Sequence, residues 1–259
     1  MQRLLLTLRY DGTAYHGWQV QPNAVTVQQT LQDAIEAVTG VRAGVTGCSR
    51  TDAGVHADMF CCCFDTASPL RGDKLASALN FHLPPDIAVY GVQPVAADFH
   101  PRYDARGKRY VYRIWNGTQR HPVYDRYALH RNRPLDTALL DQAAAAYVGT
   151  HDFAAFCAAG SDVQGTVRTV RLSRVQRQGE LVTYTVEADG FLYNMVRIMV
   201  GTLLDIAAGR LPPDAIPTIL RGGDRAAAGA TAPAKGLCLQ RVFYDFDREE
   251  APVWPNNCP

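Results

Sequence analysis

Every second residue over 4–10 is apolar, which predicts a β-strand with one buried face. A different period follows, because apolar residues recur every three or four positions over 27–38, as on one face of a helix. Thr26 stands at the capping position with Gln29 three residues later, and Gly40 follows the last apolar residue. The chain is therefore predicted to begin with a strand, followed by an amphipathic helix that has a capping residue at each end.

The same two periods predict the elements of the remaining chain. They place strands over 41–48, 57–65, 87–96, 106–116, 167–177, 180–188 and 237–244, and helices over 73–80, 135–147, 191–208 and from Pro213 onward. The strand and helix order of the second half loosely repeats that of the first, which indicates an α+β protein. We expect two ferredoxin-like (RRM-like) halves that share an antiparallel sheet, with helices on one side and the active-site cleft between the halves.

This organisation divides the chain into two subdomains and a tail. We expect an N-terminal subdomain over 1–105 and a C-terminal subdomain over 106–246. Residues 247–259 hold three prolines and two adjacent acids, which favours a flexible tail.

Composition places the chain among ordinary globular proteins. Of its 259 residues 47% are apolar and 20% are charged. The apolar run near the N-terminus is shorter than that of a signal peptide, and the apolar window 191–208 is interrupted by Asn194, Arg197 and Asp205. We therefore expect a cytoplasmic protein without a membrane segment.

The seven cysteines show no Cys-x-x-Cys pair. We therefore expect them to be reduced residues of the core and expect no metal site.

Charge is distributed unevenly along a chain whose formal net charge is only +1. Residues 100–133 hold nine arginines and lysines against two acids, so the remainder of the chain is net negative. Such a segment would steer a polyanion to one face, although a merely solvated basic surface is the alternative.

The stretch Cys48–Ala57 places one carboxylate, Asp52, two residues after Arg50 in a loop between two predicted strands. A lone carboxylate without metal-ligand spacing suggests covalent or acid/base work, and His56 with Asp58 adds only weak support for a metal. The alternative is an ordinary turn in which Asp52 caps the loop and Arg50 is solvated.

Two further residues are candidates for the same site. Arg197 lies on the predicted helix that is apolar nearly all round, so its charge is costly unless an anion such as Asp52 pairs with it and is thereby kept ionised. The alternative is that Arg197 snorkels to the helix edge. Tyr110 lies among Arg102, Lys108 and Arg109, which suits stacking on an unstacked base with phosphates bound around it, whereas a cross-strand aromatic pair in the core is the alternative.

Four ordered groups of residues resemble the tRNA pseudouridine synthases of the A family, and the similarity spans about residues 3–245. They are Tyr10-Asp11-Gly12-Thr13 with Gly17-Trp18-Gln19; Arg50-Thr51-Asp52-Ala53-Gly54-Val55-His56-Ala57; Phe99-His100-Pro101-Arg102 with Lys108-Arg109-Tyr110-Val111-Tyr112; and Gly190-Phe191-Leu192-Tyr193-Asn194-Met195-Val196-Arg197 with Gly236-Leu237-Cys238-Leu239.

The resemblance implies an isomerase that acts on uridines of the tRNA anticodon stem-loop, at tRNA positions 38, 39 and 40. The reaction breaks the bond between uracil N1 and ribose C1′, rotates the base and joins C5 to C1′, with no cofactor or metal. The resemblance also implies a homodimer in which one tRNA touches both subunits.

The resemblance assigns roles to individual residues. It implies that Asp52 is the nucleophile, on uracil C6 or on ribose C1′, and that Arg197 contacts it. It implies that Tyr110 stacks on the target base and assists proton transfer, and that Arg50 helps to extrude the uridine. Ser49 departs from the family, which usually has glycine there, so the backbone of this loop is the feature most in question.

Two other classes of protein stay open at this point. An RNA-binding protein without catalysis would need only the basic and aromatic surface. An aspartate-dependent hydrolase of a glycosidic bond would typically need a second carboxylate, and none is obviously paired with Asp52.

Overall fold

The computed structural model describes residues 1–160 and 165–248. In this part of the chain the strands are β1 (Gln2–Tyr10), β2 (Thr46–Gly47), β3 (His56–Thr66), β4 (Ile87–Val95), β5 (Gly107–Trp115), β6 (Leu129–His130), β7 (Gly149–Asp152), β8 (Val167–Gln178), β9 (Leu181–Ala188) and β10 (Leu237–Phe243). The α-helices are α1 (Val27–Thr39), α2 (Gly72–His82), α3 (Thr137–Ala145), α4 (Met195–Ala207) and α5 (Ala215–Gly222). The protein is thus α+β, with one large and mostly antiparallel sheet.

Most of the predicted elements are confirmed to within two residues at each end. The first helix has both of its predicted caps, because the Thr26 hydroxyl accepts from the main-chain N–H of Gln29 and Gly40 adopts the left-handed conformation. The short strands β6 and β7 were not predicted, since two and four residues are too few to show an alternating pattern. The tail expected over 247–259 lies mostly outside the described residues.

Two predicted elements are wrong in their extent. The strand expected over 41–48 is reduced to β2, because the side-chain amides of Gln28 and Gln32 on α1 donate to the carbonyls of Val45 and Ala43 in place of strand partners. The helix expected over 191–208 begins only at Met195, since Asn194 adopts a left-handed backbone with φ 60°.

The order of strands in the sheet is β4-β1-β3-β10-β5-β9-β8-β7. The first four strands, β1 to β4, have β1 between β4 and β3. If the short β6 and β7 are set aside, the strands of the second half repeat this order, because β5 lies between β10 and β9. The second strand follows on the far side of the third, as β2 on β3 and β8 on β9. The halves meet where β10 and β3 pair in parallel, at Cys238 with His56 and Leu239 with Ala57. We call this junction the seam.

One face of the sheet carries the helices of the second half. Tyr110 is paired with Val186, and Val186 with Ser173, whose hydroxyl donates to the carbonyl of Ala144 on α3. Directly paired residues share a face, so Tyr110 lies on the face that α3 covers. Helix α4 packs beside α3, and ten of its thirteen residues are buried, as its apolar sequence predicts.

Cysteines fill the core of the first half. Cys61, Cys62 and Cys63 are all buried although they alternate between the two faces of β3, so the sheet is covered on both sides there. No disulfide joins the cysteines of the described residues. Among residues 1–160 and 165–248, no helix has the length and apolarity that crossing a membrane requires.

Helix α4 approaches a neighbouring loop closely enough to exclude any side chain. A Cβ atom added at Gly201 would lie 1.7 Å from the carbonyl oxygen of Ala230. The main-chain N–H of Gly229 donates to the Thr202 hydroxyl across the same contact, at 2.9 Å. The position of α4 against the loop at 229–232 therefore depends on glycine at position 201.

We predict that Gly201→Ala lowers the free energy of unfolding by roughly 1–3 kcal/mol, because the added methyl group overpacks this contact. Gly222→Ala, at the end of α5 where a Cβ atom meets nothing within 4 Å, is the matched control and should be neutral or stabilising. Urea unfolding followed by circular dichroism measures both. Equal stability of the two variants would contradict the close packing of α4.

Candidate active site

The loop over 48–55 connects β2 to β3 and lies at the seam. Strand β3 pairs with β2 through Cys62 and Cys63, but its first two residues, His56 and Ala57, pair with β10 of the other half. The chain therefore reaches the seam immediately after the loop. The Asp52 loop ends where this change of partner begins, so Asp52 lies beside the seam.

Asp52 forms an ion pair with Arg197. The Nη1 atom of Arg197 donates to the Oδ2 atom of Asp52 at 3.0 Å, and the two side chains are only 18% and 23% exposed, respectively. This pair, predicted from the apolar character of the helix, is present, so Arg197 does not snorkel to solvent and the Asp52 carboxylate does not merely cap its own loop.

The guanidinium of Arg197 is itself held in place. Its Nε atom donates to the carbonyl of Ala232 at 2.7 Å, and its Nη1 atom also donates to the Oδ1 atom of Asn194 at 2.7 Å. Asn194 is the one non-glycine residue of the described chain with a positive φ. Its strained backbone thus precedes α4 directly and brings its amide against the arginine.

The N-terminal segment 10–18 packs against the back of the Asp52 loop. A Cβ atom at Gly12 would lie 2.0 Å from the carbonyl oxygen of Val55, and one at Gly17 would lie 2.3 Å from that of Thr51. The main-chain N–H of Trp18 donates to the same Thr51 carbonyl at 3.1 Å. The hydroxyls of Thr51 and Tyr10 share a buried hydrogen bond of 2.9 Å. Main-chain atoms of the segment 10–18 therefore fix the position of the Asp52 loop on the side away from its open face.

His56 fastens the end of the loop to the other half of the protein. Its Nε2 atom lies 3.1 Å from the carbonyl oxygen of Arg126 and 3.2 Å from that of Lys235, so Nε2 carries the proton. Its Nδ1 atom accepts from the main-chain N–H of Gly12 at 3.0 Å. Both ring nitrogens of His56 are therefore hydrogen-bonded to protein groups.

Within the described ranges, no three histidine, cysteine or acidic side chains are grouped closely enough to hold a metal ion.

Tyr110 lies beside this loop on the helix-covered face. Its hydroxyl is 3.4 Å from that of Ser49, and its ring meets that of Phe191 edge to face at 5.0 Å between centroids. Burial raises the pKa of Tyr110 well above its usual range, so the phenol stays protonated and is not a base. The ring is only 6% exposed, so a base could stack on it only if a neighbour such as Phe191 moved aside.

Ser49 and Arg50 complete the loop. Because Asn194 is the only non-glycine residue of the described chain with a positive φ, Ser49 does not occupy a conformation that demands glycine. Thr51 points inward while Arg50 is exposed and Asp52 is partly exposed, so the last two share the open side of the loop. Among the described residues, Arg50 has neither an ion-pair nor a hydrogen-bond partner.

The predicted phosphate-binding residues are separated by the sheet. Lys108 is buried on the face of Tyr110, and Arg102 is exposed in the segment that leads into β5. Arg109 lies on the opposite face, where its Nη2 atom pairs with Glu187 at 2.9 Å. The structure therefore does not bring Arg109 to the Asp52 site, because neighbouring residues on a strand point to opposite faces.

The basic segment 100–133 is only partly available to a polyanion. Arg106, Arg109 and Arg113 are each paired with an acid. The other six have no carboxylate within ion-pair distance in the described part of the chain, namely Arg102, Lys108, Arg120, Arg126, Arg131 and Arg133.

Comparison with known proteins agrees with this geometry. The chain matches the family described as tRNA pseudouridine synthase over residues 7–104 and 143–245. It belongs to the tRNA pseudouridine synthase family. Curated relatives named tRNA pseudouridine synthase A include those of Moorella thermoacetica, 47% identical, and Clostridium kluyveri, 45% identical, each aligned over 94% of this chain and all of the relative. The corresponding protein of Acetivibrio thermocellus is 44% identical over the same shares.

One solved structure also resembles the chain, a Cbf5-Nop10-Gar1 complex. It is 11% identical over 91% of this chain and 57% of the other, with a TM-score of 0.37, which is too low to support a structural argument.

In this tRNA pseudouridine synthase, two glycines support the Asp52 loop, and the residue patterns gave no reason to expect this. Gly12 and Gly17 were noticed only as part of the resemblance, although both lie against the Asp52 loop. The two glycines precede Asp52 by about 40 residues, so no local pattern in the sequence indicates that they contact its loop. The contact forms only when β1 and β3 pair.

We predict that Gly17→Ala lowers the rate of pseudouridine formation roughly tenfold or more, because the added methyl group displaces the Thr51 carbonyl and with it Asp52. Gly40→Ala is the matched control: Gly17 has φ +84° and Gly40 has φ +74°, but a Cβ atom at Gly40 meets nothing within 4 Å. Both variants should lose about 1 kcal/mol of stability to the left-handed backbone, and Gly17→Ala should lose roughly 1–3 kcal/mol more because its Cβ atom meets the Thr51 carbonyl. Activity lost equally in both would contradict a specific role of Gly17.

Proposed function

We propose that this tRNA pseudouridine synthase acts on uridines of the anticodon stem-loop, at tRNA positions 38, 39 and 40, with Asp52 as its nucleophile. The observation that carries the proposal is the Asp52–Arg197 pair at the seam, a partly exposed carboxylate that a guanidinium holds in place. Uridine and pseudouridine have the same composition, so the isomerisation consumes neither oxidant nor group donor, and we propose that it needs no cofactor or metal.

The proposed chemistry begins when Asp52 attacks uracil C6 or ribose C1′. The bond between N1 and C1′ breaks, the uracil rotates, and C5 joins C1′. The bond to Asp52 is then released, the C5 proton is lost and N1 gains a proton, so that the composition is unchanged. An ionised carboxylate with one oxygen bound by Arg197 leaves its other oxygen free to act as the nucleophile. Arg197 holds one oxygen of Asp52 in place while the substrate displaces water from the site.

The target uridine must leave the stack of the RNA before it can reach Asp52, at a cost of a few kcal/mol. We propose that Arg50 fills the space left by the base, since its exposed guanidinium shares the open side of the loop with Asp52. Tyr110 would contact the extruded base after Phe191 shifts, and its neutral phenol would donate a hydrogen bond.

Binding energy for this step would come from phosphate contacts made by Arg102 and Lys108, with the other unpaired arginines of the basic segment. Because each neutralised phosphate releases counterions, binding of tRNA should depend steeply on salt. Arg109 is outside this set, since the sheet separates it from Asp52.

We also propose that residues 1–105 and 106–246 are two ferredoxin-like halves with the active-site cleft between them. The support is the order of strands, because in each half the first strand lies between the fourth and third and the second lies beyond the third. A homodimer in which one tRNA touches both subunits, and a place in the cytoplasm with the tRNA pool, are proposals that rest on the family resemblance.

The nucleophile can be tested with unmodified tRNA that carries tritium at uracil C5. The native protein should release tritium, and Asp52→Asn should release none above background, because an amide is not a nucleophile here. Asp58→Asn is the matched control, since Asp58 lies on the opposite face and is half exposed beside Arg113. Release by Asp52→Asn at the native rate would refute the assignment of the nucleophile.

A second substitution tests the role of the guanidinium. We predict that Arg197→Lys lowers kcat by about 10- to 100-fold with a smaller effect on KM. A single ammonium nitrogen cannot occupy the positions of both Nε, which donates to Ala232, and Nη1, which donates to Asp52 and Asn194. Arg210→Lys, at an exposed pair with Asp205, is the control and should be active. Native kcat in Arg197→Lys would mean that charge alone suffices.

A further inference from the structure

The segment 121–128 belongs to the second half of the protein but contacts the first half, and we call it the strap. It is a series of turns closed by main-chain hydrogen bonds, such as those from the N–H groups of Tyr127 and Ala128 to the carbonyl of Tyr124. One end is fixed to the second half, because Ala128 is buried and the next strand, β6, pairs with β5. The strap therefore brings its side chains to the first half from a fixed base.

Three contacts join the strap to residues next to the Asp52 loop. The hydroxyl of Tyr127 donates to the Oδ2 atom of Asp11 at 2.9 Å. The ring of Tyr127 meets that of His56 edge to face, at 5.2 Å between centroids. The preceding residue, Arg126, has its carbonyl oxygen 3.1 Å from the Nε2 atom of His56, which donates to it. Two adjacent residues of the strap thus hold Asp11 and His56.

Asp11 can anchor the strap because its own carboxylate is fixed. The Oδ1 atom accepts from the main-chain N–H of Thr13 at 2.9 Å and from the Thr13 hydroxyl at 2.5 Å, which leaves Oδ2 for Tyr127. Burial by itself would raise the pKa of Asp11, but the hydrogen bonds from Thr13 and Tyr127 outweigh it, so the pKa lies below its usual value. A hydrogen bond to an ionised carboxylate is stronger than one between neutral groups. The bond from Tyr127 is therefore a strong link between distant parts of the chain.

Asp11 and His56 lie on either side of the turn that carries Asp52. The main-chain N–H of Val55 donates to the carbonyl of Asp52 at 3.1 Å, which closes this turn. Gly12, which follows Asp11, lies directly against it, since a Cβ atom there would be 2.0 Å from the carbonyl oxygen of Val55. His56 follows Val55 in the chain and accepts from the N–H of Gly12 at 3.0 Å. A displacement of the strap would therefore reach Asp52 through a single turn of main chain.

The hydrogen bond from Tyr127 to Asp11 is not one that burial demands. Tyr127 is 38% exposed, so water can satisfy its hydroxyl. Tyr124 of the same strap illustrates this, since its hydroxyl forms no hydrogen bond with any described residue while its ring stacks on that of Trp115 at 5.1 Å. Tyr124 thus holds the strap to its own half, and the hydroxyl of Tyr127 holds it to the other.

We propose that Tyr127 is a positioning residue for the reaction of Asp52, and that the strap sets the Asp52 turn through the hydrogen bond from Tyr127 to Asp11. This inference rests on the proposed function and adds to it a support that comes from the second half. The glycine contacts of the segment 10–18 come from the same half as Asp52. The strap instead ties Asp52 to the half that carries Arg197 and Tyr110, and so keeps the nucleophile in place relative to the groups that act with it.

The first test compares two substitutions that each remove one hydroxyl from the strap. Tyr127→Phe should lower kcat for tritium release from tRNA roughly five- to tenfold and change KM less than about twofold, because Asp52 is displaced while the contacts with RNA are kept. Tyr124→Phe is the matched control and should leave both constants at their native values. Thermal unfolding followed by circular dichroism should show that both variants are fully folded at the assay temperature.

Any other division between kcat and KM would overturn the proposal. A raised KM at native kcat in Tyr127→Phe would make this partly exposed residue a direct contact of the RNA. Native values of both constants would show that Asp52 does not depend on the strap. Equal losses of kcat in Tyr127→Phe and Tyr124→Phe would indicate a general disturbance of the strap instead of a specific bond to Asp11.

The second test asks whether Tyr127 acts through Asp11. Asp11→Asn keeps the size of the side chain but replaces one acceptor with a donor, so it cannot accept from both Thr13 and Tyr127. At saturating tRNA its single-turnover rate, taken per folded protein, should fall about tenfold or more. Adding Tyr127→Phe to Asp11→Asn should cost less than about twofold further, since the shared bond is already lost. Effects that multiply in full would show that the two residues act independently, and would overturn the proposal.

Failure of this inference and failure of the proposed function are distinguishable. If the native protein releases tritium from tRNA and Tyr127→Phe does so at the native rate, the synthase assignment stands and the positioning role of Tyr127 is wrong. If the native protein releases no tritium, the proposed function itself is wrong and this inference falls with it.

Discussion

The ion pair between Asp52 and Arg197 is the interaction on which the site depends. It joins the β2–β3 loop of one half to the first turn of α4 in the other, and both groups are largely withdrawn from water. Removing either partner from such a pair leaves a buried charge without compensation. Asn194 and Ala232 hold the guanidinium, so the position of the carboxylate is set by contacts from both halves.

The positions of Asp52 and Arg197 are fixed by close backbone contacts that only glycine permits. Gly12 and Gly17 bring the N-terminal segment directly against the Asp52 loop, while Gly201 brings α4 against the loop that contains Ala232. Main-chain atoms in contact have no rotamers to change, so they locate a functional group more narrowly than flexible side chains do. His56 adds hydrogen bonds from the end of the Asp52 loop to the second half.

The distribution of cations follows from the two faces of the sheet. Arg109 and Arg113 are paired with acids on the face opposite Tyr110. Lys108 lies on the face of Tyr110 and has no carboxylate within ion-pair distance among the described residues. A chain with a net charge of +1 can therefore attract a polyanion locally, because its acids neutralise the arginines of one face and leave those near the site unpaired.

The sequence by itself determined most elements, the α+β class and the pairing of Asp52 with Arg197, because periodicity and the cost of a buried charge are local or nearly local signals. It also placed Tyr110 and Lys108 on one face of their strand and Arg109 on the other, although it did not say which face held the site. Only the tertiary structure decided that question, since it depends on which side of the sheet α3 and α4 cover. Packing alone likewise revealed the contacts of Gly17, because they depend on segments far apart in the chain.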